Sequence, residues 1–195
     1  AALSDLVSNG VCDTVWIRAR AGTYFERLVI PAIPGAGSNA PVYIESESGD
    51  SSTVIISHTA SFSLNHVIRL NNASWLTFRN LTFEATGTSY ARVLELEGTL
   101  SHIGFEHNRF LGRSGISSTS SNYHLVYYYN NDPDLYYFNF SNNRFVGGST
   151  ALYLQASSGD HLSVHNNVFE GQYNGHIYVE EVNYVSIQQN DILST

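Results

Sequence analysis

Five times along the chain two apolar residues bracket a polar or small one: Leu76 and Phe78, Ile103 and Phe105, Phe138 and Phe140, Leu162 and Val164, Val185 and Ile187. The bracketed residues are Thr77, Gly104, Asn139, Ser163 and Ser186, and Arg79, Glu106, Ser141, His165 and Gln188 follow the pairs. Such alternation places one side of each segment in a core, so each predicts a strand. Three positions after the second apolar residue a phrase recurs: Asn108-Arg109-Phe110-Leu111-Gly112, Asn143-Arg144-Phe145-Val146-Gly147, Asn167-Val168-Phe169-Glu170-Gly171 and a worn Asn190-Asp191-Ile192-Leu193-Ser194. An earlier copy, Leu81-Thr82-Phe83-Glu84-Ala85, has leucine in the asparagine place. The phrase predicts a second short strand with its phenylalanine inward. A third strand is predicted upstream in each unit, at Val67–Leu70, Val93–Leu96, Leu125–Tyr128, Leu152–Leu154 and Ile177–Val179.

The phenylalanine position recurs at 83, 110, 145, 169 and 192. Self-similarity at such spacings marks stacked repeats, and three short strands per repeat without helical periodicity predict an all-β parallel β-helix. The asparagine reads as a corner residue with positive φ whose amide bonds its counterpart in the next coil. Leu81 therefore predicts a different turn in the first copy. Residues 11–60 hold β-rich pieces at Val15–Ile17, Leu28–Ile30, Val42–Ile44 and Val54–Ile56, separated by Pro31, Pro34, Pro41 and the run from Gly35 to Asn39. They predict one or two irregular opening coils. In residues 1–10, Leu3, Leu6 and Val7 share a helical face, with Ser4 as cap and Gly10 as stop, and this helix would cover the open end of the first coil. The expectation is one domain over 1–195, with a capping helix at 1–10, irregular coils at 11–60 and regular coils at 61–195. About six coils make a rod on the order of 30 Å long. No second cap follows the last repeat, so the chain is expected to be a fragment, attached to further coils or domains.

Composition narrows the partners. The nine basic residues are all arginine, and the net charge of −8 argues against nucleic acid. No apolar run approaches the ~18 residues of a membrane span, so no membrane insertion is expected. The single cysteine, Cys12, cannot pair within the chain, and its apolar neighbours predict a buried thiol. The eight histidines lack ligand spacing, and most of them are predicted to be surface or ladder residues.

The opening Asp13-Thr14-Val15-Trp16-Ile17-Arg18-Ala19, Ala21-Gly22-Thr23-Tyr24 and Leu28-Val29-Ile30-Pro31, with the Asn-x-Phe-x-Gly copies, resembles secreted right-handed parallel β-helix proteins of the pectate-lyase-like superfamily. The resemblance covers nearly the whole chain. The Gly-Thr-Tyr and Ile-Pro phrases are also similar to those of large surface proteins of Bacteroidetes-type bacteria. This implies a right-handed coil and an extracellular or cell-surface bacterial setting. Activity stays open, because the fold hosts lyases, hydrolases, adhesins and stalks.

Two functional readings follow. One is a non-catalytic extracellular module, a stalk or glycan-contacting part of an adhesin-like surface protein; the other is a carbohydrate-active enzyme, a polysaccharide lyase or glycoside hydrolase. For an enzyme the resemblance implies an arginine base, and Arg109 and Arg144 share one place in successive repeats. Arg69 and Glu95 would join them if they faced a cleft with the insertion at 113–122 or the loop at 130–134. Glu95 with Glu106, or with Glu180 and Glu181, falls on different faces or too far along the stack for an acid–base pair, so no catalytic residue is assigned. Asn130-Asn131-Asp132-Pro133-Asp134 is the one oxygen-dense loop; Asp132 and Asp134 are calcium candidates, although the same residues make ordinary turns, and no cofactor is assigned.

The best candidate lies six positions before the asparagine, where every unit carries a planar ring: Trp75, His102, Tyr137, His161 and Tyr184. Stacked at about 4.8 Å per coil, these form a ring-lined stripe on the outward side. Tyr153 and Tyr178 add rings in the neighbouring strand. The stripe reads as a platform for a polysaccharide or cell-surface glycan, or as plain stacking of like on like.

Overall fold

The computed structural model describes residues 2–129 and 134–193. The alternating segments become three columns of strands, which the chain visits in constant order. The first column holds β1 (Val15–Ala19), β4 (Val42–Ser46), β7 (Ser74–Arg79), β10 (Leu100–Glu106) and β13 (Asp134–Ser141). The second holds β2 (Gly22–Phe25), β5 (Val54–His58), β8 (Thr82–Ala85), β11 (Arg109–Leu111), β14 (Arg144–Val146), β16 (Val168–Glu170) and β18 (Asp191–Leu193). The third holds β3 (Leu28–Pro31), β6 (Ile68–Asn71), β9 (Leu94–Glu97) and β12 (Val126–Tyr129). The long strands β15 (Thr150–His165) and β17 (Gly175–Gln188) run from the third column into the first. They join those two columns into one 11-stranded sheet, beside a 7-stranded sheet made by the second. The fold is all-β, and the ladders linking successive repeats are parallel.

The inward rows fall in register. Leu76, Ile103, Phe138, Leu162 and Val185 align across the first column. In the second, Phe83, Phe110, Phe145, Phe169 and Ile192 align, and Phe110 to Phe169 stack at 4.7 and 5.0 Å. Phe83, Phe110, Phe145 and Phe169 are fully buried, each worth about 1.5–3 kcal/mol relative to exposure. The opening is more regular than its loops suggest, since Ile17, Ile44 and Phe78 align directly. One opening strand escapes the apolar pattern: β2 starts on a glycine and ends on Phe25, which lies in solvent.

Helix α1 (Ala2–Asn9) lays Leu3, Leu6 and Val7 against the first repeat. Ser4 lies inside it and is no cap. Gly10 does stop it, at φ +72°, where a Cβ would meet the Pro34 carbonyl oxygen at 2.6 Å. The Cys12 thiol is exposed and not buried, because the chain leaving the helix passes outside the core.

The corner corrects the predicted turn. Positive φ falls one residue before the aligned position, at Asn80, His107, Asn142, Asn166 and Gln189. Asn108, Asn143 and Asn167 themselves are buried, with their amides turned inward. Asn143 Oδ1 accepts from Asn108 N at 2.9 Å, while Asn143 Nδ2 donates to Phe105 O at 2.8 Å and to Asn167 Oδ1 at 3.0 Å. Asn167 and Asn190 repeat the arrangement. The turn at Leu81 is no exception: Asn80 takes the same positive φ, and Leu81 N donates to Asn108 Oδ1 at 3.0 Å. Asn143→Ala leaves Asn108 N and Phe105 O unsatisfied in the core. We expect it to lower unfolding free energy by about 3 kcal/mol, measured by urea denaturation.

Candidate functional site

The five rings do form one column. Trp75 stacks on His102 at 3.8 Å, His102 on Tyr137 at 4.6 Å, Tyr137 on His161 at 4.7 Å and His161 on Tyr184 at 5.1 Å, with ring planes within 24° of parallel. Each ring therefore turns its faces to its neighbours and presents its edge outward. All five residues have positive φ, from 49° to 62°, so the column marks a second corner five positions before the asparagine corner. A left-handed residue with a Cβ costs about 1–2 kcal/mol, and one offset-stacked pair returns about 0.5–1.5 kcal/mol. Burial holds His102 below the usual histidine range, so a neutral imidazole lies between Trp75 and Tyr137.

Beside the column runs a trough of about 320 Å³. The edges of Trp75, His102 and Tyr137 form one wall, and Thr77, Gly104 and Asn139 form its floor. At its end Tyr43 stacks on Trp16 at 4.1 Å, and the Arg79 guanidinium covers the Tyr43 ring at 4.6 Å. Glu106, which also lines the trough, ends a column of alternating charge in which Arg18, Glu45, Arg79 and Glu106 are successive register partners. Arg18 Nε donates to Glu45 at 3.0 Å and Arg79 Nε to Glu106 at 2.8 Å, so this column is neutral. Gly104 keeps the floor low: a Cβ there would sit 3.2 Å from the Thr77 side chain. Trp16, Tyr43 and Arg79 were not expected here. Extending the register of Thr77 back into the opening strands would have found them.

Tyr153 and Tyr178 stack on each other at 4.5 Å, but in the third column, beyond the register shift between Gln155 and Gly159. They make a separate ring row with Tyr127 and His124, which approach Tyr153 to 5.7 and 4.9 Å. The Tyr178 hydroxyl donates to Glu180 at 2.7 Å, which pushes its pKa up to about 12.

Arg69 and Glu95 are register partners, as the two adjacent strands require, yet they do not act as a pair. Arg69 turns to Glu97 at 3.5 Å. Glu95 bonds Arg92 through Oε1, and its Oε2 lies 2.7 Å from His66 Nδ1. Burial pushes the Glu95 carboxyl up, but the His66 contact and the Arg92 charge outweigh it and hold the group below the usual range. Arg27 can only donate, so His66 Nε2, 2.7 Å away, is the acceptor and the His66 proton lies on Nδ1. Arg92 also donates to Ser121 O at 3.1 Å and covers the Tyr127 ring at 3.9 Å. The insertion at 113–122 thus supplies backbone carbonyls to this network and brings no carboxylate. His66 and His124 are buried, because the loops preceding the third column carry them inward; His124 is a stacked histidine, on Tyr153, whereas His66 is neither surface nor stacked.

Arg109 and Arg144 are register partners in β11 and β14, and Arg144 bonds Glu170. Asp132 lies outside the described residues, and Asp134 begins β13. Among the described residues no group of three or more His, Cys, Asp or Glu side chains is arranged to hold a metal ion, and no helix is long and apolar enough to cross a membrane. Comparison with protein-family models finds no match, and comparisons with curated proteins and with solved structures find none either.

Two outcomes test this description. Tyr137→Ala loses two stacks and keeps the strained φ, whereas Tyr137→Gly loses the stacks and relieves the strain. The glycine variant should be the more stable by about 1 kcal/mol in urea unfolding. His124, bonded through Nδ1 to Ser149 Oγ at 2.7 Å, is lowered to about 4, first by burial and then by the Arg92 charge. The unfolded chain binds the extra proton first, so the contribution of His124 is complete above about pH 6.5 and is lost as pH falls towards 4. His124→Gln should flatten that part of the stability–pH curve.

Proposed function

We propose that the chain is a right-handed parallel β-helix module of a bacterial surface protein, non-catalytic, which holds a glycan in the ring-walled trough. The trough carries the reading. A sugar hydroxyl needs a donor and an acceptor at once, and Glu106, Thr77 and Asn139 supply both within one depression. The ring edges supply apolar lining, and the polar groups fix orientation, as in other ligand pockets. Because the Glu106 carboxylate lies against the Arg79 guanidinium, the trough suits a neutral sugar unit.

The constant order in which the chain visits its three columns supports the β-helix. The resemblance carried by the opening phrases and the Asn-x-Phe-x-Gly copies supports the hand of the coil, and the Gly-Thr-Tyr and Ile-Pro phrases support the surface setting. The engagement of Glu95 by Arg92 and His66 supports a structural role for that carboxylate. The test is a glycan-array screen run beside assays for new reducing ends and unsaturated products. Gly104→Asn raises the floor with the side chain that Asn139 already carries one repeat on, so the fold should be kept while binding of the selected glycan falls about tenfold. Turnover of any polysaccharide, or undiminished binding by Gly104→Asn, would overturn the proposal.

A further inference from the structure

Across the asparagine corner lies a second depression, of about 510 Å³, with a different charge pattern. Its lining includes Asn80, His107, Asn142 and Asn166 from the left-handed corner, with Arg109 and Arg144 beside them. The alternating column next door pairs opposite charges, whereas here the register sets guanidinium against guanidinium. Like charges directly opposite on neighbouring strands destabilise a sheet. Arg144 is relieved by Glu170, one repeat on. The Arg109 side chain makes no hydrogen bond or ion pair among the described residues. The four corner side chains likewise bond to nothing among them, so three amides and an imidazole stand open beside a guanidinium that acts on the Asp50 carboxylate by its charge alone.

We propose that this groove binds a single carboxylate or sulfate group carried on a polyhydroxylated ligand. The anion lies between Arg109 and Arg144, where guanidinium forks give charge-assisted hydrogen bonds, and the corner amides take neighbouring hydroxyls. Two observations set the ligand's charge. Asp50 lines the same groove, its carboxylate already accepting from Ser52 N and Ser52 Oγ, both at 2.8 Å, and Glu170 neutralises part of Arg144. Two guanidiniums set against these two carboxylates leave the groove with no formal net charge, so it takes one acidic group through the unbonded Arg109 fork and, with −8 on the whole chain, disfavours a polyanion.

The experiment measures affinity by calorimetry and Tm by thermal unfolding for the intact chain with glucuronate, glucose 6-sulfate and glucose. Potassium chloride at equal ionic strength controls for screening. The acidic sugars should bind and raise Tm by mass action, and glucose should not; the tighter of the two acidic sugars identifies the anion. Arg109→Gln should weaken that binding about tenfold or more and abolish the Tm rise, while its ligand-free Tm equals or exceeds that of the parent because the repulsion is gone. A merely structural arginine would give the reverse. Arg144→Gln should weaken binding as well. Equal affinity for glucose and the acidic sugars, or full binding by Arg109→Gln, overturns the proposal. Gly104→Asn should leave the acidic-sugar response intact, so this site and the trough stand or fall separately.

Discussion

A primary amide cannot be left unpaired in an apolar core, and this constraint sets the register of the whole molecule. Asn108, Asn143 and Asn167 are almost completely buried, and each satisfies its carboxamide against the same residue one repeat on and against a carbonyl and a backbone N–H one repeat back. Parallel ladders by themselves tolerate slippage, but a slip of one residue here would strand several donors and acceptors at once. With the amides fixed, every other position inherits its neighbour: phenylalanine meets phenylalanine inside, ring meets ring outside, and each charged residue faces whatever charge its counterpart carries.

The second constraint is geometric. Each repeat bends through two left-handed residues five positions apart, Trp75 and Asn80, His102 and His107, Tyr137 and Asn142, His161 and Asn166, Tyr184 and Gln189. Asparagine and histidine take that conformation more readily than tryptophan and tyrosine do. The strain at the ring corner and the stacking between rings are of similar size, so the column adds little net stability. Its consequence is shape. Stacking consumes the ring faces, and what remains outward is a wall of edges above a low floor.

Much of this was legible in the chain before any coordinates. The Asn-x-Phe-x-Gly phrase gave the repeat, its parity separated core from surface, and counting back six residues located the ring column. The left-handed bends were not legible, because residues 74–79 alternate in the same way whether the strand is straight or bent at Trp75. Nor was the network of Arg27, His66, Arg92 and Glu95, since His66 and Arg92 sit on loops between columns where period two stops. Tyr153 and His161 were read on neighbouring strands; the one long strand β15 carries both, and the register shift after Gln155 keeps their rings in different columns.

The same inheritance of neighbours explains why the two depressions differ in chemistry although they adjoin. In the column of Arg18, Glu45, Arg79 and Glu106 the sign alternates from repeat to repeat, and the register converts four charges into paired, mutually satisfied groups. Three residues further along the chain, beyond the left-handed His107, the register brings Arg109 against Arg144. A column that satisfies itself forms a neutral surface and needs no ligand; one that opposes like charges keeps an electrostatic penalty that Glu170 and Asp50 offset in part and an outside anion offsets further. In a rod built by one repeated register, the place where the repeated chemistry fails to cancel is therefore the place where a charged partner gains most.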